Sequence, residues 1–178
     1  MRLLTSIFIM SAAFYGAICT TSNGATSVFP KVIGQNLNGK TFHFPNDFQA
    51  PASIVFIAYV RGQQAQVDSW KPFISDIRSR FPTTGEYELP TLSSGNRLLR
   101  GLIDRGMRSG IRDTETREVT ITLYIDKRPF NAALGISSER EIAVLLVAPD
   151  GTVLWRATGA YTAERSKGLD AALSSLGR

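Results

Sequence analysis

Ser53 to Val60 reads SIVFIAYV, an almost unbroken apolar run. A strand wet on one face alternates apolar with polar residues. A run this continuous belongs to a strand buried on both faces, which needs a covering layer on each side of a sheet. The run stops at a polar turn, Arg61-Gly62-Gln63-Gln64. Val67, Trp70, Phe73, Ile74, Ile77 and Phe81 then recur at the spacing of one helix face. Pro72 is expected near the start of that helix, where a missing N–H costs least. A buried strand feeding straight into an amphipathic helix restricts the chain to layered α/β architectures.

The flanking segments extend the pattern. Gln35 to Phe44 contains Asn38-Gly39 between alternating residues, a hairpin signal because both turn positions tolerate positive φ. Glu86–Leu92 and Val119–Ile125 read as strands, the second rich in β-branched residues. Arg128–Leu134 reads as a short helix, and Glu141–Ala148 as another strand. Pro149-Asp150-Gly151 has turn chemistry. Thr152–Ala157 pairs back as a hairpin, and Thr162 caps a closing helix that runs to Leu176. The expected fold is α/β, a mixed central sheet flanked by helices with an N-terminal hairpin.

Residues 1–25 place one arginine, Arg2, before an apolar run from Leu3 to Ile18, then small and polar residues. That order is a secretory signal peptide, with cleavage in Ser22–Ala25 and a single domain over 26–178. The protein is then exported, to a bacterial periplasm; the alternative is an uncleaved membrane anchor. Cys19 is the only cysteine among 178 residues. A chain processed in this way has no thiol, which excludes disulfide exchange, thiol peroxidation and thiolate metal sites. No cofactor-binding or metal-ligating motif is found. The formal charge is +5, and little of it resides in the leader. Such a balance favours acidic partners or anionic lipid surfaces. No basic run, zinc-finger spacing or aromatic-basic motif points to nucleic acid.

With these elements placed, the chain resembles the thioredoxin-like fold. NGKTFHF and SIVFIAYV are similar to the first hairpin and central strand of its exported and peroxiredoxin-type branches, and EIAVLLVAPDGTVLWRATG to its final hairpin. The turn VRGQQA lies where those proteins carry Trp-Cys-x-x-Cys, with Arg61 and Gln64 at the two cysteine positions. Ile142 stands near the place of their cis-proline. With both hallmarks missing, the resemblance implies the fold and not the redox activity. AQVDSWKPF and LLVAPDGTVLWRATGAYTAER further resemble the Atp-ten family of ATP synthase assembly factors. That resemblance puts Gln66, Trp70, Trp155, Gly159 and Glu164 at corresponding positions. It implies a chaperone-type role toward a membrane complex.

Two segments are candidate binding sites. The Arg61–Gln64 turn joins a strand end to a helix N-terminus, where unpaired N–H groups favour anions. Arg61, Gln63 and Gln64 would add donors, and Gln66 and Trp70 follow on the helix. The plain alternative is a solvated turn. The second segment is RLLRGLIDRGMRSGIR, residues 97–112. On a helix, Leu98, Leu99, Leu102, Ile103 and Met107 share one face. Arg97, Arg100, Arg105, Arg108 and Arg112 fall within an arc of about 140° on the other side. Such a helix can lie on an anionic membrane or meet an acidic partner. Its plain alternative is a surface helix with the apolar arc docked and the arginines solvated. Gly101, Gly106 and Gly110 weaken it by about 1 kcal/mol each. His43, the lone histidine, reads as structural or exposed. Glu86 and Glu88 share a strand face and read as solvated, and Asp113, Glu115 and Glu118 read as loop charges. The function expected is a non-enzymatic exported binding or assembly factor for a protein partner. The alternative is a thiol-independent enzyme or anion-binding protein using the Arg61–Gln64 turn.

Overall fold

The structure is a computed structural model that describes residues 27–95 and 97–177; the leader expected over 1–25 lies outside them. The elements are β1 (Val32–Asn36), β2 (Thr41–Phe44), β3 (Ser53–Ala58), α1 (Gln64–Arg80), β4 (Gly85–Ser93), α2 (Arg97–Gly110), α3 (Thr114–Val119), β5 (Ile121–Ile125), α4 (Lys127–Ala133), β6 (Ala143–Val147), β7 (Val153–Thr158) and α5 (Ala163–Leu176). A 3-10 turn, Arg61–Gln63, precedes α1.

The strands form one sheet in the order β2-β1-β5-β4-β3-β6-β7. β3 pairs parallel with β4 and antiparallel with β6. β4 and β5 are parallel, while both hairpins are antiparallel. This is the mixed sheet with an N-terminal hairpin that the sequence predicts. The continuous run of β3 has its expected cause. Val55 and Ile57 join one core with Phe29, Phe44, Phe48, Leu89 and Leu123, while Ile54 and Phe56 join the opposite core with Val67, Trp70, Ile77 and Leu169.

Several local expectations change. α1 begins at Gln64, so Pro72 sits inside the helix and not near its start. Thr114–Val119 is helical, which moves the start of β5 to Ile121. The reason is Asp113, whose carboxylate accepts from Thr116 N at 2.7 Å and caps α3. Asp113, Glu115 and Glu118 therefore belong to a capped helix and not to a loop. Glu88 is 8% exposed and lies on the α1 side of β4, so it is not a solvated surface charge. At the other end of the chain Thr162 caps α5 as expected, accepting from Arg165 N at 3.2 Å.

Candidate functional site

The turn after β3 is built around Gln63, which is 3% exposed. Its Oε1 accepts from Tyr59 N at 2.7 Å, and its Nε2 donates to Glu139 O at 2.8 Å. Gln63 thus ties the end of β3 to the loop before β6 with both ends of its amide. A second layer lies beside it. Tyr59 Oη donates to Asn131 Oδ1 at 2.8 Å, Asn131 Nδ2 donates to Glu139 Oε1 at 2.9 Å, and Lys127 pairs with Glu139. Burial, with the Glu139 carboxylate adding to it, pushes the Tyr59 phenol far above its ordinary range, so it remains a donor.

Arg61 and Gln64 are exposed, and Gln64 Nε2 donates to Asp68 Oδ1 at 3.2 Å. Gln66 Oε1 accepts from Ile142 N at 3.1 Å. Trp70 has no exposed surface, and its indole N–H donates to Gly159 O at 3.1 Å. Of the five sequence candidates around this turn, Gln63 and Trp70 are therefore scaffold and offer nothing to a partner. Tyr59, Lys127, Asn131 and Glu139 are not found by sequence reasoning. Tyr59 hides in an apolar run, and no local pattern links Glu139 to Asn131 or Lys127.

α2 carries the other candidates, and its orientation departs from the plain expectation in part. Arg100 lies over the Tyr124 ring with its guanidinium 4.8 Å from the centroid, and its Nη2 donates to Ser94 O at 3.0 Å. Tyr124 Oη donates to Asp104 Oδ1 at 2.8 Å. Arg117 holds the C-terminal end, donating to Ile111 O at 2.6 Å and to Arg108 O at 2.9 Å. The polar flank of the helix thus meets the sheet, while Leu102 is 62% and Ile103 39% exposed. The sheet explains this. Period two turns Ile121 and Leu123 into the opposite core and leaves Thr122 and Tyr124 under α2. A cavity of about 260 Å³ remains there, lined by Gln35, Arg100, Asp104, Thr122 and Tyr124 among others. On that face Arg100 meets the Tyr124 ring and Asp104 its hydroxyl, beside Ile33, which lines the same cavity. Arg105, Arg108 and Arg112 are exposed, and Arg97 begins the helix. His43 lies exposed on β2.

Neither a family model nor a curated protein matches this sequence. Solved structures do resemble the fold. A putative electron transport protein from Aquifex aeolicus VF5 aligns at TM-score 0.60 and 10% identity, over 85% of this chain and 97% of that one. BsSco, a member of the Sco family of cytochrome c oxidase assembly proteins with a disulfide switch, aligns at TM-score 0.56 and 11% identity, over 86% and 95%. The pneumococcal exposed lipoprotein thioredoxin Etrx1 from Streptococcus pneumoniae aligns at TM-score 0.51 and 12% identity, over 83% and 98%. The fold is thioredoxin-like. The sequence holds one cysteine, Cys19. Among the described residues, no helix is long and apolar enough to cross a membrane.

Proposed function

We propose that this chain is an exported, non-redox thioredoxin-like protein that works by binding, as an assembly factor for a membrane complex. The observation that carries this reading is Gln63. Its amide is spent at both ends on Tyr59 and Glu139, so the turn after β3, which the fold resemblance sets against a thiol-bearing turn, serves as a structural latch. Function is grafted onto folds and can be lost from them while the scaffold persists.

Two further points support the reading. The fold is shared with BsSco, itself from a family of oxidase assembly proteins. Trp70, Trp155 and Gly159, three of the five residues named in the resemblance to the Atp-ten family, are neighbours in the fold. Trp70 reaches Gly159, and its ring lies edge-on to Trp155 with centroids 6.3 Å apart. Export follows from the reading of residues 1–25, and an uncleaved anchor would place the domain on the same side of the membrane. The alternative, a small anion or acyl group held at Arg61–Gln64, would have to use Arg61 and Gln64 without the Gln63 amide.

The test is deletion of the gene followed by native electrophoresis of solubilised membranes. Loss of one complex, with its subunits accumulating unassembled, is expected, and the chain restores it with Cys19 replaced by Ser. Unchanged complexes, or rescue that depends on Cys19, would overturn the reading.

A further inference from the structure

The outward face of α2 is unpartnered among the described residues. Leu102 and Ile103 are exposed on it, and nothing lies within 4 Å of where a Cβ would stand at Gly101, Gly106 or Gly110. Glycine in a helix interior costs stability, and here no close contact among the described residues offsets that. The exposed charged residues of α2, Arg105 and Arg108, have one sign; Arg112 follows just past its end, beside the exposed Asp113, Glu115 and Glu118. Arg105, Arg108 and Arg112 are exposed. Asp104, the one carboxylate of the helix, is held by the Tyr124 hydroxyl on the sheet side. The carboxylates beyond the helix belong to α3, where Asp113 is committed to its cap.

We infer that this face of α2 rests on an anionic lipid surface. Guanidinium groups bind phosphate through paired N–H donors. The exposed Leu102 and Ile103 enter the boundary between headgroups and acyl chains, as the apolar side of an interfacial helix does. The surrounding glycines leave no side chains to hold the helix off the headgroup plane. A protein partner would need a groove shaped to a convex helix and lined with acids; a phosphate plane supplies the complementary charge at any rotation about its normal. The polar face beneath α2 is what commits the helix to this orientation. Thr122 Oγ1 and Arg100 Nε are buried there with no hydrogen-bond partner among the described residues. The inference goes beyond the assembly reading, because it concerns lipid and stands or falls without a protein partner.

The test uses the full chain and two vesicle preparations, one of phosphatidylcholine alone and one with a quarter phosphatidylglycerol. Residues 1–25 contribute their apolar run to both, so the quantity read is the ratio of the two affinities at low ionic strength. The native chain prefers the anionic vesicles, and added salt erodes the preference. Replacing Arg105, Arg108 and Arg112 by Gln cuts the ratio on the order of 100-fold, since each arginine near such a surface contributes about fivefold. The matched control replaces Arg61, Arg128 and Arg140, which are also exposed and remove the same charge; it lowers the ratio clearly less, because these arginines lie outside α2 and its proposed contact face. Leu102→Ser lowers binding to anionic vesicles without moving the thermal midpoint. Equal binding of the native chain to both vesicles overturns the inference. So does an equal loss in the control, or an α2 triple variant that behaves as wild type. None of these results would touch the assembly phenotype, which the deletion strain reads separately.

Discussion

The indole N–H of Trp70 donates to the main-chain oxygen of Gly159 at 3.1 Å, joining the middle of α1 to the chain between β7 and α5. Both partners are constrained. Trp70 is fully buried against Phe56, and Gly159 holds φ +85° with the Glu141 carboxylate 2.8 Å from where its Cβ would lie. Trp70→Phe keeps an aromatic ring, leaves the Gly159 carbonyl without this donor and opens a small void. It should lower stability by roughly 1–3 kcal/mol. Gly159→Ala should cost about 1 kcal/mol or more from its backbone conformation alone. Urea denaturation of each variant checks both values; an unchanged midpoint for Gly159→Ala would mean the turn adjusts freely.

Gln63 makes a sharper case, because an isosteric change separates its two bonds. Gln63→Ala strips a buried N–H at Tyr59 and a buried carbonyl at Glu139 of their partners. A loss of about 2–4 kcal/mol is expected. In Gln63→Glu the carboxylate still accepts from Tyr59 but has nothing to donate to Glu139 when ionised. That variant should be closer to wild type in mild acid, where it is protonated, than at neutral pH. Denaturation at two pH values measures the difference, and equal losses at both would show that the Glu139 bond contributes little.

The redox prediction is independent of both. The described residues contain no cysteine, so the chain should not accelerate insulin reduction by dithiothreitol, and Cys19→Ser should leave that blank unchanged. Turbidity above a no-protein control, lost in Cys19→Ser, would assign thiol chemistry to residue 19.

What could be read in advance follows from how local each cause is. The apolar run of β3 announces two covering layers by itself. Asn38-Gly39 forms its turn with Gly39 at φ +91°, and Thr162 caps its helix, because those causes lie within four residues. The orientation of α2 was not legible. Its periodicity marks an apolar arc, but the side facing the sheet is decided by Thr122 and Tyr124, which belong to a strand beyond another helix. Gln63 reads as a turn residue until its partner, 76 positions away at Glu139, is brought beside it. Period two rightly places Glu86 and Glu88 on one face of β4; only the docking of α1 shows that this face is covered.

That cover makes Glu88 a source of pH dependence with a definite sign. Burial raises its carboxyl above the ordinary range, opposed by a hydrogen bond from Gln64 and by the charge of Lys71. Glu86 is raised by burial too, with Arg78 and Lys71 opposing. A carboxyl with a raised folded-state pKa binds more protons folded than unfolded between its two pKa values. Stability from this source is therefore present below the unfolded value and lost as pH rises through the folded one. Asp68 is shifted the other way: despite burial, its bonds from Lys71 and Gln64 lower it, so its stabilisation is present above the ordinary aspartate range and is lost as pH falls through the lowered folded value. The two windows do not overlap. Glu88→Gln removes the charge and keeps the shape, so it should stabilise the protein at neutral pH relative to wild type. The gain should shrink as pH falls toward the ordinary glutamate range and vanish below it. Stability curves of both proteins across mildly acidic to neutral pH give the difference directly. A Glu88→Gln protein less stable than wild type at neutral pH would show that Lys71 and Gln64 outweigh burial, and that the ionised carboxylate is a net stabilising partner.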